Sequence, residues 1–344
     1  MTLISIALLC YNHEKLLPRN LLSFANQTDP DFELVLVDNQ STDQSFSVLE
    51  QFRVDHPEMK ILAIQNNTKT VCEGRRVGFE ASSGDYVALH DGDDWVEPTF
   101  VEAHRKVILE HHPDAIASGT KTISSSGKTL HVDALPQAET PWSKRTMQGY
   151  MLKREVFTSA SAPFVNTFFE DLYLSSSLNR HIHSVWYIRE PLYCYYVNDV
   201  SANSKARMQS VGAFVEPFDH ACALIRQNLF SGTDETTQSL LEFQVICHYY
   251  SLVFAGSVYL SAGQMLENYK MLRAVIRQRY PKYLANRNIR LRGSNAAAGA
   301  FQGRLWLAAQ LEKLDATLHT TLFMRLLLWV YYVALKLNVY QTHR

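Results

Sequence analysis

Along the first hundred residues, apolar and polar positions come in blocks rather than one by one. Short apolar runs stand at Leu3–Leu9, Leu34–Val37, Ile61–Ile64 and Tyr86–Leu89. Between and after them, apolar residues recur three or four apart over Glu14–Phe24, Ser45–Val54, Cys72–Ala81 and Glu97–Glu110. The first pattern predicts strands and the second helices. Strands with so little alternation are buried on both faces, which calls for a mostly parallel sheet with helices on either side. The expectation is a βαβ-type α/β domain.

After Asp114 the pattern changes. "AIASGTKTISSSGKTLHV" reads as a hairpin with a Ser-Gly turn, and a mixed stretch follows to about Ser204, including the apolar-aromatic run "VWYIREPLYCYYV". From about Ala206 the spacing is helical, as in "FDHACALIRQNLF" and "LLEFQVICHYYSLVFAGSVYL". A boundary is therefore expected near residue 205, with residues 1–205 forming the α/β domain and 206–344 a helical region.

Open parallel sheets bind ligands beyond the carboxyl ends of their strands. Here those ends read "YNH", "DNQSTD", "QNN" and "DGDDW", a rim suited to a ligand rich in hydrogen-bonding groups. The last packs Asp91, Asp93 and Asp94 into one turn. Two ionised carboxylates about 5 Å apart repel by roughly 3 kcal/mol at an effective dielectric near 20. Solvent, basic neighbours or a bound cation must offset that. A hard divalent cation, Mn²⁺ or Mg²⁺, needs only one or two such carboxylates, with water and phosphate completing its shell. Gly92 serves such a turn by close backbone approach or by a positive φ. The competing reading is a solvated acidic turn in which Asp94 caps the next helix.

Composition narrows the field. At 344 residues and 47% apolar, the chain can bury a sizeable core, and a net charge of −1 gives no basic field for nucleic acid. Five scattered cysteines without a CxxC pair point to reduced thiols and a cytoplasmic setting. The opening "MTLISIALLC" lacks the basic flank of a signal peptide and reads as a strand. No apolar run is long enough to span a bilayer; the nearest, Leu322–Leu337, carries Arg325 and Lys336. From Asn268 to Leu311 there is no acidic residue, whereas Lys270, Arg273, Arg277, Arg279, Lys282, Arg287, Arg290, Arg292 and Arg304 fall inside. Followed by an apolar-aromatic helix, this segment predicts peripheral attachment to an anionic membrane, on its cytoplasmic face. Helix packing or a homo-oligomer contact is the other use of such a surface.

Taken together, "SIALLCYNHEKLLPRNLLSFANQTDPDFELVLVDNQSTDQS", "ASSGDYVALHDGDDW" and "FFEDLYL" resemble the inverting glycosyltransferases of family 2, which have the GT-A fold. The likeness covers roughly residues 3–204. Tyr11-Asn12 matches the end of the family's first strand, Asp38 with Ser41-Thr42-Asp43 the second, and Asp91-Gly92-Asp93-Asp94 the metal motif. Asn66/Asn67 with "GRRVG", and Glu170-Asp171, match the family's later motifs. The resemblance implies a sugar donor linked to a nucleoside diphosphate, most simply a UDP-sugar, and a hydroxyl acceptor on a glycan or lipid-linked glycan. The implied setting is bacterial surface polysaccharide or lipopolysaccharide assembly, with transfer of a hexosyl or N-acetylhexosaminyl group.

It also implies roles. Asp38 meets the donor's base, with Asn12 beside the nucleotide or stabilising its own loop. Arg75 or Arg76 lies by the diphosphate. Asp93 is the main metal ligand, and Asp91 holds the ribose or a metal-bound water. Asp171 is the general base, positioned by Glu170. Leu9-Cys10 replaces the family's Pro-Thr, Asn39 a second Asp, and Val197 an Arg in a Tyr-Arg pattern. The last departure removes a cation that must be supplied elsewhere or not at all. A nucleotidyltransferase is disfavoured by the lack of glycine in "LLCYNHEKLLPRN", and an inactive binding scaffold by the presence of Asp93 and Asp171.

Overall fold

The structure, a computed structural model, describes residues 3–133, 147–160, 162–197, 212–255, 260–289 and 299–331, with backbone alone at 255 and 299–306. It divides into two compact units. The first comprises Met1–Asn166 and Tyr173–Asn198, and the second Thr167–Leu172 and Asp199–Arg344. The expected boundary near residue 205 falls outside the described residues.

In the first unit, β1 (Ile4–Cys10), β2 (Glu33–Asp38), β3 (Lys60–Gln65) and β4 (Tyr86–Asp91) alternate with α1 (Leu17–Ala25), α2 (Ser45–Asp55) and α3 (Val71–Ala81). These strands are mutually parallel in the order β3-β2-β1-β4. The sheet then turns mixed. Beyond β4 come β8 (Tyr150–Lys153), β6 (Ala115–Ile123), β9 (Val185–Tyr196) and the two-residue β5 (Trp95–Val96), with β7 (Thr129–Asp133) paired to β6. The hairpin expected after Asp114 is β6–β7, closed at Gly127 with φ 81°. Between β5 and β6 lies α4 (Phe100–His111), and α5 (Arg154–Ser159) and α6 (Glu170–Asn179) follow β8. The fourth helix starts at Phe100 rather than at Glu97, because the residue before a proline avoids helical backbone. Glu97 instead donates its N–H to Leu192 O.

Both faces of the central strands are covered. From β1, Ile4, Ile6, Leu8 and Cys10 pack with Leu17, Leu21 and Phe24 of α1. Ala7 and Leu9 turn the other way, into clusters that include Phe157 and Leu174 or Val35 and Val37. Helix α3 lies very close to β1. A Cβ on Gly74 would come within 2.4 Å of Leu9 Cδ1, and one on Gly78 within 3.1 Å of Ala7 Cβ. Its start is capped by Thr70, whose hydroxyl accepts from Glu73 N. In β9 the pairing with β6 slips between Ile188 and Pro191, as expected where a proline has no N–H to give.

Opposite the functional rim, buried Glu33 accepts from Ser5, Ser83 Oγ and Ser83 N, with Lys60 Nζ at 2.6 Å. Burial alone would raise this carboxyl. Lys60 and the serine donors outweigh it and bring its pKa down to about 2.

The second unit is helical: α7 (Val215–Leu229), α8 (Glu235–Ala255), α9 (Ala262–Arg279), α10 (Gly299–Thr317) and α11 (322–331). At its centre, buried Glu312 accepts from Tyr283 and, at 2.7 Å, from Tyr250, while Arg273 Nε lies 2.8 Å from its Oε1. Buried Asp315 caps α11, accepting from Phe323 N at 3.0 Å and Met324 N at 2.8 Å. None of the described helices is long and apolar enough to cross a membrane.

The basic segment is less exposed electrostatically than its sequence suggested. Arg273 is paired with Glu312, Arg279 with Asp219 and Lys270 with Glu267. Arg290 and Arg292 lie outside the described residues.

Candidate active site

The acidic turn follows β4 directly. Gly92 N–H donates to Leu9 O at 2.8 Å, and Asp94 N–H closes the turn onto Asp91 O at 3.2 Å. Gly92 is required for close approach, not for positive φ. A Cβ there would sit 2.8 Å from Cys10 Cβ and 2.9 Å from Leu9 O.

The three carboxylates meet three different fates. Asp94 is buried and acts as a strut: it accepts from Tyr193 Oη at 2.6 Å and from Tyr196 N–H at 2.8 Å, both on β9. It therefore caps no helix. Burial, then Asp93 and Asp91, push its pKa well up. Asp91 faces the buried guanidinium of Arg75, with Nη2 3.1 Å from Oδ1. Asp93 is half-buried as a residue. Burial and then Asp91 raise its pKa, against the pull of His13 and Arg19.

Helix α1 holds the turn's backbone. Asn20, fully buried, donates to Asp91 O at 3.1 Å, and Arg19 Nη2 to Asp93 O at 3.2 Å. The Arg19 guanidinium stacks 3.8 Å from the Trp95 ring centroid and 4.4 Å from that of Tyr196. Trp95 thus packs as part of a cationic sandwich. The offset to the acidic turn comes from Arg75, Arg19, His13 and the donors of β9, none of them adjacent to it in sequence.

The other rim loops knit together. Asn12, at φ 54°, is in a left-handed conformation that asparagine tolerates. It accepts from Thr42 N–H at 2.8 Å and donates its own N–H to Ser41 Oγ at 2.8 Å. Asp38 is fully buried, with Oδ2 accepting from Ser41 N–H at 3.1 Å and Oδ1 3.7 Å from the Cys10 thiol. Asp38 is thus turned inward in this conformation, and Gln40 and Thr42 are what the loop exposes. Asn39 accepts from Asn66 Nδ2 at 2.9 Å, so its neutral amide spares the rim another buried charge.

The two arginines of "GRRVG" separate. Arg75 reaches Asp91, whereas Arg76 pairs with Glu73 and Glu80 on the outer face of its own helix. Glu170 and Asp171 open α6, whose first turn groups with the second unit. That turn is anchored by Phe169, its ring 4.7 Å from His248 and 6.0 Å from Phe214.

Among the described residues, no three His, Cys, Asp or Glu side chains converge into a ready-made metal cage. The turn still fits a divalent cation of the sparse-ligand kind. It offers hard carboxylate oxygens in Asp93 and Asp91, with Asp94 withheld, and leaves the remaining positions to water and phosphate.

Residues 5–172 match the family model described as glycosyl transferase family 2. They are a family 2 glycosyltransferase domain. Glycosyltransferase GlyA of Streptococcus pneumoniae is 35% identical over 112 residues, covering 32% of this chain and 16% of GlyA. The poly(ribitol-phosphate) β-N-acetylglucosaminyltransferase TarS of Staphylococcus aureus is 30% identical over 125 residues, 36% of this chain and 22% of TarS. The chain thus matches under a quarter of the length of these relatives. In three dimensions, the crystal structure of S. aureus TarS 1–349 in complex with UDP-GlcNAc aligns at TM-score 0.64 and 17% identity, covering 91% of this chain and 92% of that one. Mannosyltransferase PcManGT of Pyrobaculum calidifontis, in complex with GDP-Man and Mn²⁺, aligns at 0.53 and 13%, covering 97% and 86%. The glycosyltransferase domain has the GT-A fold, a curled mixed sheet with helices on both faces.

Proposed function

We propose that this chain transfers a hexosyl or N-acetylhexosaminyl group from a UDP-sugar to a hydroxyl of a glycan or lipid-linked glycan, with inversion, in bacterial surface-polysaccharide assembly. The observation that carries the reading is the acidic turn. Within a family 2 domain, Asp94 is spent on holding β9 while Asp91 and Asp93 stay at the sheet's ligand-binding rim, one of them already facing a buried arginine.

Asp93, with Asp91, holds the divalent cation, Mn²⁺ or Mg²⁺. When bound, that ion neutralises charge developing on the departing diphosphate. Arg75 keeps Asp91 oriented and contributes positive charge to the diphosphate end of the site. Asn12 and Asp38 set the loop 39–43 that borders the base, Asp38 acting through Ser41. Arg76 has no part in donor binding on this reading. Asp171 takes the proton from the attacking hydroxyl, whose own pKa lies far above neutrality, as the new bond forms. Attack opposite the leaving diphosphate inverts the anomeric centre and needs no covalent enzyme intermediate.

The test is a set of melting curves with UDP, GDP, CDP and ADP, each with and without Mn²⁺. A ligand at about 100 times its Kd adds roughly 2.7 kcal/mol to native stability. The expected result is a shift with UDP that needs Mn²⁺ and vanishes in Asp93→Asn. A shift with GDP alone would replace the donor, and no metal-dependent shift with any nucleotide would overturn the reading. Asp171→Asn should abolish transfer while keeping the UDP–Mn²⁺ shift; loss of both would mark Asp171 as structural.

A further inference from the structure

Helix α11 is apolar on both of its sides. Met324 and Leu328 are fully buried, so that side is the packed one. The opposite side exposes Leu322 (62%), Leu326 (58%), Trp329 (55%) and Val330 (50%), at the three- and four-residue spacing of a single helical face. Leu322, Arg325, Leu326 and Trp329 also line one wall of a hollow of about 330 Å³, whose other wall is Ala262, Gly263 and Leu266 of α9. A solvated helix does not carry such a face.

Charge selects what covers it. Over residues 299–331 the acidic residues are Glu312 and Asp315, and both are buried: Glu312 beneath the tyrosines and Arg273, Asp315 on the first N–H groups of α11. The formal charges that α10 and α11 expose among the described side chains are therefore cationic, Lys313 and Arg325. The nearby Glu267 is already paired with Lys270. A second copy docked face to face would bring Arg325 against its own counterpart, with no exposed carboxylate on either helix to receive it. An anionic lipid surface reverses that conflict. The leucines and Trp329 enter the acyl boundary, and Arg325 extends its guanidinium back to the phosphates.

We infer that the outer face of α11, Leu322, Arg325, Leu326 and Trp329, seats this protein on an anionic membrane surface. The surface needs no contribution from the long basic segment before it, in which Lys270, Arg273 and Arg279 are held in ion pairs, and stands apart from the transfer reaction. The test uses the full chain in co-sedimentation with vesicles of phosphatidylcholine, alone or with about a third phosphatidylglycerol. Leu326→Glu and Trp329→Glu, both at exposed positions, should each lower binding to the anionic vesicles at least tenfold with unfolding midpoints unchanged. Arg325→Gln should weaken binding to anionic vesicles several-fold and leave any binding to the neutral ones as it was. Equal binding by wild type and Leu326→Glu, or no binding by wild type, would overturn the inference. So would a lipid-free dimer in sedimentation velocity that Leu326→Glu dissociates, which would assign the face to a second copy.

Discussion

The pair Arg75–Asp91 offers a quantitative test of how the acidic turn is balanced before any ligand arrives. At 3.1 Å and an effective dielectric near 20, the gross attraction is about 5 kcal/mol. The guanidinium is buried, at 7% exposure, and the carboxylate is 31% exposed, so desolvation removes much of that. The net coupling expected is about 2 kcal/mol. A double-mutant cycle with Arg75→Met and Asp91→Asn isolates it, since whatever else each side chain touches cancels between the arms. Urea unfolding in the absence of divalent ions should return the 2 kcal/mol. Repeated with saturating UDP and Mn²⁺, the coupling should change by more than about 1 kcal/mol, because on the proposed reading both side chains then also contribute to ligand binding. A coupling under about 0.5 kcal/mol without metal would refute the idea that Arg75 offsets the turn's charge. An unchanged coupling with UDP and Mn²⁺ would place Asp91 outside the donor site.

Other perturbations probe neighbouring parts of the structure. Tyr193→Phe deletes a hydroxyl 2.6 Å from buried Asp94 and should cost about 2 kcal/mol in urea unfolding; a cost below about 0.5 kcal/mol would deny the strut. Glu33→Gln tests the carboxyl held at about 2 instead of its ordinary 4.5. A depressed folded-state pKa stabilises above the ordinary value and ceases to as pH falls towards 2. Its upper bound is about 3 kcal/mol, trimmed to about 2 by screening at the exposed Lys60. The substitution should therefore cost about half as much near pH 3 as at pH 7, and an equal cost at both would refute the assignment. The melting-shift series with Asp93→Asn and Asp171→Asn, and the vesicle assay with Leu326→Glu, complete the set.

The alternation of β1–β4 with the first four helices is legible in the sequence because each buried strand is a continuous apolar run with a helical stripe beside it. The strands β5 and β8 have two and four residues, too few to show a period. The acids of the turn were visible because they are contiguous. What balances them was not, since Arg19 and Asn20 come from about seventy residues earlier. One signal was available: Asn20 interrupts the buried register Leu17, Leu21, Phe24 of α1, and a polar residue on a core face needs a partner. Arg76 also had a local signature, with Glu73 and Glu80 three and four positions away on the same helix. The ion pairs of the basic segment were not legible locally, because Asp219 precedes it in sequence and Glu312 follows it.

The way helix α1 grips the turn has a consequence for substrate choice. Asn20 and Arg19 bind the carbonyls of Asp91 and Asp93, and Asp94 is tied to β9. The turn's shape is thus fixed from α1 and β9. On the proposed reading, a diphosphate meets the same seat whatever base or hexose it carries. On that reading, discrimination between donors falls to the loops around the seat, such as residues 39–43, where Gln40 and Thr42 stand exposed. Exchanging those loops can change the cargo while the seat stays as it is, a division that lets one scaffold be retuned without being rebuilt.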